Sequence, residues 1–151
     1  MKLKIGDLIP NISLKAQDGG MINFRTVETP FVVYFYPKDF TPGCTTEACS
    51  FRDSYEDFKD LGAEVYGVSS DSSKSHSKFS AKHQLPFVLL SDPDKKARRA
   101  FGVKPRMWGL VPGRETFVFD KEGKLIFRFN SLNGSSHTSE ALEALKKNLQ
   151  Q

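Results

Sequence analysis

The run Phe31-Val32-Val33-Tyr34-Phe35-Tyr36, closed off by Pro30 and Pro37, constrains the fold more than any other stretch of the sequence. Six consecutive β-branched and aromatic residues suit a strand covered on both faces, and the flanking prolines stop the ladder. Such a strand lies in the middle of a sheet with layers packed on either side. The 151 residues suit a single domain, 1–151, with enough core to dispense with metal or disulfide staples.

Other segments fall into place around that strand. Asn11 to Lys15 and Met21 to Phe24 flank the turn Asp18-Gly19-Gly20 and read as an N-terminal β-hairpin at a sheet edge. Glu64 to Ser69 and Phe87 to Leu90 read as further core strands. Between them Ser72 or Ser73 caps a helix that carries Phe79 and Leu85 and stops at Pro86. A short helix over Lys95 to Phe101 precedes an irregular segment, Gly102 to Gly113. Thr116 to Asp120 and Leu125 to Phe129 then form a hairpin, and Ser139 to Leu149 a closing helix. This order predicts an α/β, thioredoxin-like fold: a central mixed β-sheet flanked by helices, with the N-terminal β-hairpin added to it.

Both cysteines lie directly after the central strand, in Thr41-Pro42-Gly43-Cys44-Thr45-Thr46-Glu47-Ala48-Cys49. Thr41 reads as an N-cap and Pro42 as a first helical residue, where its missing N–H costs nothing. Ala48, Phe51, Tyr55 and Phe58 continue from Cys44 as one inward stripe of a helix that Gly62 ends. Cys44 therefore sits in a first helical turn, where unpaired N–H groups and the positive end of the dipole favour a thiolate. Seen alone, a cysteine on an apolar stripe also reads as an inert small hydrophobe. Cys49 lies about 140° round the helix from Cys44. Cα atoms five residues apart in an intact helix are separated by roughly 8 to 9 Å, whereas disulfides need less than about 7 Å. A bridge between these two thiols would require the helix start to unwind.

Several function classes are disfavoured. The charge of +4 and the basic stretch Lys95, Lys96, Arg98, Arg99, Lys104 and Arg106 invite a nucleic-acid reading. Asp92 and Asp94 precede it, however, no aromatic residues interleave for base stacking, and Ala97, Ala100 and Phe101 turn one face inward, so a solvated face is expected. The histidines, His76, His83 and His137, are scattered without ligand spacing, so no metal is expected; His76 and His83 read as surface residues. No phosphate loop or dinucleotide fingerprint calls for a cofactor. No apolar run approaches the roughly 20 residues of a membrane span. The start, Met1 to Asp7, has no secretory stretch. Cytoplasmic location is expected, with plastid stroma after removal of a transit peptide as the alternative.

The segment from Tyr36 to Cys49, Tyr-Pro-Lys-Asp-Phe-Thr-Pro-Gly-Cys-Thr-Thr-Glu-Ala-Cys, closely resembles the active-site segment of peroxiredoxins of the Q type, also called bacterioferritin comigratory proteins. The resemblance runs nearly end to end, through Gly6-Asp7 with Pro10, Phe51-Arg52-Asp53, Leu89-Leu90-Ser91-Asp92 and Gly113-Arg114-Glu115-Thr116-Phe117. It implies a thiol-dependent peroxidase in which Cys44 is the peroxidatic cysteine and Cys49 the resolving one, with Thr41, Pro37 and Arg114 completing the pocket. Glu47 matches the same motif, although a first-turn carboxylate also fits its position for dipole reasons alone.

The implied cycle oxidises Cys44 to a sulfenic acid, condenses it with Cys49 as an intramolecular disulfide, and returns it to the dithiol with thioredoxin. Peroxides and a thioredoxin-like reductant are the implied partners, with no nucleic acid or membrane, and the chain is expected to be a monomer. Ile12 departs from the aromatic residue common in the family, and Phe40 and the Trp108 segment vary within it, which bears on peroxide preference. A thioredoxin-fold redox sensor, switched by the same two thiols, is the alternative reading.

Overall fold

The computed structural model describes residues 3–103, 114–131 and 134–149. Its first strands, β1 (Ser13–Ala16) and β2 (Met21–Asn23), pair antiparallel as a hairpin. The turn closes on itself, since the Asp18 carboxylate accepts from the Gly20 N–H at 2.9 Å. There follow β3 (Phe31–Phe35), α1 (Pro42–Asp53), α2 (Tyr55–Asp60), β4 (Glu64–Ser69), α3 (Ser73–His83) and β5 (Val88–Ser91). Then come α4 (Lys96–Phe101), β6 (Glu115–Phe119), β7 (Leu125–Asn130) and α5 (Gly134–Leu149). One seven-stranded sheet has the order β2-β1-β5-β4-β3-β6-β7. Its centre, β5-β4-β3, is parallel, and antiparallel strands extend it on both sides. This is the mixed sheet that the order of segments predicts, with the N-terminal hairpin at one edge.

All five residues of β3 are buried, and their alternation divides the core in two. Phe31, Val33 and Phe35 pack with Phe24, Phe117, Phe119 and, from α4, Ala97 and Phe101. Val32, Tyr34 and Tyr36 pack with Cys44, Ala48, Phe51, Phe58, Phe79, Ala141 and Leu145, which come from α1, α2, α3 and α5. Each fully buried Val, Leu or Phe among them contributes about 1.5–3 kcal/mol relative to exposure. Tyr34 stacks on Phe51 with centroids 4.5 Å apart. Its hydroxyl lies over Gly67 of β4, where a Cβ would come within 2.8 Å of both Tyr34 and Leu89, so a larger residue there would force the layers apart. The second core is the one that holds Cys44, and it fixes α1 against the central strand.

Some expectations need correction. The helix starting near Cys44 does not run unbroken to Gly62: Ser54, at φ −104° and ψ 6°, separates α1 from α2. The bend buries Phe58 and leaves Tyr55 half out, its hydroxyl donating to Glu64 at 2.7 Å. Serine competes with helical backbone bonding and suits such a break. At the other end, α5 starts at Gly134 rather than Ser139. Glycine and serine are weak helix formers and conceal these turns in the sequence, but tertiary anchoring of His137 extends the helix. β5 and β6 are offset by a single residue from their expected starts.

The basic stretch is not solvated throughout. Lys95, Lys96 and Arg99 are exposed, but Arg98 is buried, donating Nη2 to the Tyr36 carbonyl at 2.7 Å. Asp92, also buried, caps α4 by accepting from the N–H groups of Ala97 and Arg98. His76 is fully buried rather than on the surface. Lys104, Arg106 and Trp108 lie outside the described residues. No described helix is long and apolar enough to cross a membrane.

Candidate active site

Strand β3 delivers the chain to the site. Tyr36 still donates its N–H to Val68 at 3.0 Å, after which Pro37, half-buried, ends the ladder. Phe40 then takes a left-handed conformation, φ +66°, which costs a bulky L-residue of order 1 kcal/mol. Its ring is held edge-on against Phe79, centroids 5.1 Å apart, with the Lys82 ammonium over its face. The preceding residue is tied down more firmly: the buried Asp39 carboxylate accepts from the Tyr36 hydroxyl at 2.6 Å and the Ser75 hydroxyl at 2.8 Å, and meets His76 Nδ1 at 2.7 Å. The other ring nitrogen, Nε2, donates to the Leu90 carbonyl at 2.9 Å. Asp39, Asp71 and His76 form a cluster of metal-ligand type, but Asp71 is also engaged, by the Asp39 N–H and the Ser69 hydroxyl. These bonds give the cluster a structural task, anchoring the loop that leads into α1.

Thr41 is the N-cap residue of α1 by conformation, with Pro42 at the first helical position. Its hydroxyl, contrary to expectation, caps no helical N–H and donates to the Lys38 carbonyl at 2.9 Å. The lone pairs of the Thr41 oxygen remain able to accept. Cys44 follows in the first turn, 1% exposed, its sulfur accepting from Arg114 Nη2 at 3.2 Å. Arg114, immediately before β6, is itself buried and forks: Nη1 donates to Oε1 of Glu47. Glu47 stands one turn on from Cys44 and so shares its face. Gly43 leaves the room for this fork, since a Cβ there would stand 3.2 Å from Arg114 Nη2.

Burial pushes the Glu47 carboxyl up to about 8, against the opposing pull of Arg114. Its Oε2 has no hydrogen-bond partner among the described residues and faces His137 Nδ1 at 3.6 Å. Burial would lower Arg114, but Glu47 and Cys44 more than reverse this, so the guanidinium stays charged. The guanidinium thus lies between the Cys44 sulfur and a carboxyl that burial drives towards its neutral form. Arg98 adds a second buried cation whose charge reaches Cys44, although burial pulls its own value down. Tyr34, wholly buried in this core, is raised well above its ordinary range and stays neutral.

His137 closes the far side. Its Nε2 donates to the Ser131 carbonyl at 2.8 Å, so Nδ1 accepts from the Thr116 hydroxyl at 2.6 Å. Burial holds this imidazole neutral, down to about 4. Sequence reasoning gave His137 no role; the signal was its place four residues before Ala141 and eight before Leu145, both buried, which makes it the next step of the α5 stripe. The second thiol lies elsewhere. Cys49 is half-buried on the same unbroken α1, a free thiol like Cys44, with His83 Nδ1 3.9 Å from its sulfur.

A cysteine in a first helical turn, forked onto by a buried arginine, can attack an electrophile and stabilise the anion it expels. Known proteins share this arrangement's sequence and fold. Residues 5–128 match the model of the AhpC/TSA family. The chloroplastic peroxiredoxin Q of Oryza sativa subsp. japonica is 46% identical over 147 residues, covering 96% of this chain and 68% of the relative. That of Sedum lineare is 47% identical over 148 residues, covering 96% and 79%. Among solved structures, the Xanthomonas campestris bacterioferritin comigratory protein, described for its alkyl peroxide reduction activity, superposes with TM-score 0.87 at 36% identity over 97% of both chains. A Cys-to-Ser variant of Xylella fastidiosa PrxQ gives TM-score 0.90 at 31% identity over 99% of both. Fold, motif and relatives converge: the chain belongs to the AhpC/TSA family and, within it, to the thiol-dependent peroxidases of the peroxiredoxin Q group.

Proposed function

We propose that this chain reduces hydrogen peroxide and organic hydroperoxides with Cys44 as the peroxidatic and Cys49 as the resolving cysteine, drawing electrons from a thioredoxin-type dithiol. The observation that carries the assignment is the buried Arg114 guanidinium at 3.2 Å from the Cys44 sulfur. The thiolate attacks the nearer oxygen of the peroxide, the O–O bond breaks, and water or an alcohol leaves with a proton from solvent. Cys44 is then a sulfenic acid. Arg114 favours the thiolate and the negative charge that grows on the departing oxygen. Thr41, its proton committed to Lys38, offers lone pairs to the peroxide O–H, and Pro37 shields the pocket from bulk water. Glu47, accepting from Nη1, orients the guanidinium towards the sulfur.

The second step joins the two sulfurs and expels water. With both residues on one helix, the turn between Thr41 and Thr45, closed by an N–H to carbonyl bond of 2.8 Å, must open first. An external dithiol then reduces the bridge by exchange. Such chemistry needs a reducing compartment, cytoplasm or plastid stroma, and the plant relatives named above are chloroplastic.

The test is peroxide consumption by the purified protein with thioredoxin, thioredoxin reductase and NADPH. Turnover that disappears in Cys44→Ser is expected; turnover that persists in that variant, or none in the unmodified protein, overturns the reading.

A further inference from the structure

Cys49 has surroundings of its own. Its sulfur lies 3.9 Å from Nδ1 of His83, the last residue of α3, at the long end of hydrogen bonding to sulfur. Arg52, three residues further along α1, donates Nη1 to the His83 carbonyl at 2.8 Å and clamps the end of α3 to α1 at this point. Phe79 packs edge-on against the imidazole, centroids 5.1 Å apart, and fixes its plane. His83 is half-buried at the C-terminus of α3. The charged groups around it are Arg52, whose guanidinium also feels the charge of Cys49, Asp53, paired with Arg52 at 3.0 Å, and Lys82, directed over the Phe40 ring.

The geometry points to His83 as the proton acceptor and donor for Cys49, a catalytic residue of the disulfide half of the cycle; this rests on the assignment of Cys49 as resolving cysteine. During oxidation Nδ1 takes the thiol proton of Cys49. The thiolate attacks the sulfur of the Cys44 sulfenic acid, the S–S bond forms, the S–O bond breaks, and the proton neutralises the departing hydroxide to water. During reduction a thiolate of the dithiol attacks the Cys49 sulfur and the S–S electron pair passes to Cys44. The second thiol of the reductant gives its proton to His83 and attacks the mixed disulfide. Cys49 leaves as a thiolate and takes that proton back. Because Arg52 holds the His83 carbonyl from a turn beyond Cys49, the imidazole stays at the place that Cys49 leaves and regains.

Two measurements test this. In a Cys44→Ser protein Cys49 is the one remaining thiol, and its alkylation by iodoacetamide is followed by mass spectrometry. His83→Gln should slow this reaction at pH 7 by about threefold or more, because the thiolate is the reacting form. His83→Ala should be slowed likewise and recover on addition of free imidazole, a rescue that a merely structural histidine would not show. Rates equal to or above the parent in both variants, or a slow rate that imidazole leaves untouched, overturn the proposal. In the protein with both thiols, one equivalent of hydrogen peroxide followed by rapid quenching gives the rate of disulfide formation relative to that of sulfenic acid. This ratio should fall in His83→Gln, and an unchanged ratio also overturns the proposal. If Cys49 does not resolve Cys44, no variant forms the disulfide while alkylation still reports on His83, so the two failures are distinguishable.

Discussion

Cys44 and Cys49 share a helix and differ in almost everything else. Cys44 faces the buried core between β3, β6 and α5, 1% exposed, against a buried cation. Cys49 faces sideways to the end of α3, half-buried, against an imidazole. A rotation of about 140° along one helix is enough to place two identical side chains in different chemistry. The first setting is buried beside a fixed charge, which suits the attack on a small peroxide proposed for Cys44. The second leaves the sulfur partly exposed, as the proposed exchange with a protein dithiol needs. The cost of separating them is that the helix start must open for them to meet.

The largest test of that contrast removes the inner thiol. Cys44→Ser should abolish peroxide turnover altogether, since no other described group combines a nucleophile with the Arg114 cation. Cys49→Ser should also stop turnover with thioredoxin, but through a different fault: one equivalent of peroxide should still be consumed, leaving a sulfenic acid on Cys44 that a trapping reagent detects. Identical phenotypes for the two, with no burst in Cys49→Ser, would erase the distinction. Next in size is Arg114→Ala. Loss of one preorganised donor typically lowers rate by about 10²- to 10³-fold, so the second-order rate constant for oxidation of Cys44 should fall by that order while alkylation of Cys49 should not. Arg114→Lys should recover only part of the loss, because an ammonium cannot fork between Cys44 and Glu47.

The sequence exposed the inner thiol's setting better than the outer one's. The strand at Phe31 to Phe35, the proline at the helix start and the apolar stripe through Ala48 and Phe51 all follow from local preferences, and they alone place Cys44 in a first turn facing the core. Arg114 could be matched to the pocket only by resemblance, since it lies 70 residues away and nothing local marks a loop arginine as buried. His76, Arg98 and His137 were illegible for the same reason: a polar residue's burial depends on a partner elsewhere, here Asp39, the Tyr36 carbonyl and Thr116. Thr41 shows the reverse failure, where a good local cap is overridden because its hydroxyl finds the Lys38 carbonyl. Ser54 breaks a stripe whose period is otherwise regular.

The smallest effect concerns the charge that makes the inner setting different, and it is read in stability rather than rate. Burial raises Glu47 to about 8 from an ordinary 4.5, so the folded protein keeps this proton where the unfolded chain has lost it. The stability it contributes is fully present below 4.5 and is lost as pH rises through about 8. His137 has the opposite sign: held neutral down to about 4 against an ordinary 6.5, it contributes stability that is present above 6.5 and lost as pH falls towards 4. The two slopes oppose each other between 4.5 and 6.5, and the Glu47 slope stands alone between 6.5 and 8. There the unfolding free energy should decline by up to about 1.4 kcal/mol per pH unit, the value for one proton. Urea unfolding of Glu47→Gln beside the parent isolates the effect, because the variant has no proton to lose and its curve should lack that decline. Parallel curves would mean that Glu47 is already ionised in the fold. Arg114 would then be shared between two anions, and the electrostatic contrast between Cys44 and Cys49 would be smaller than the geometry indicates.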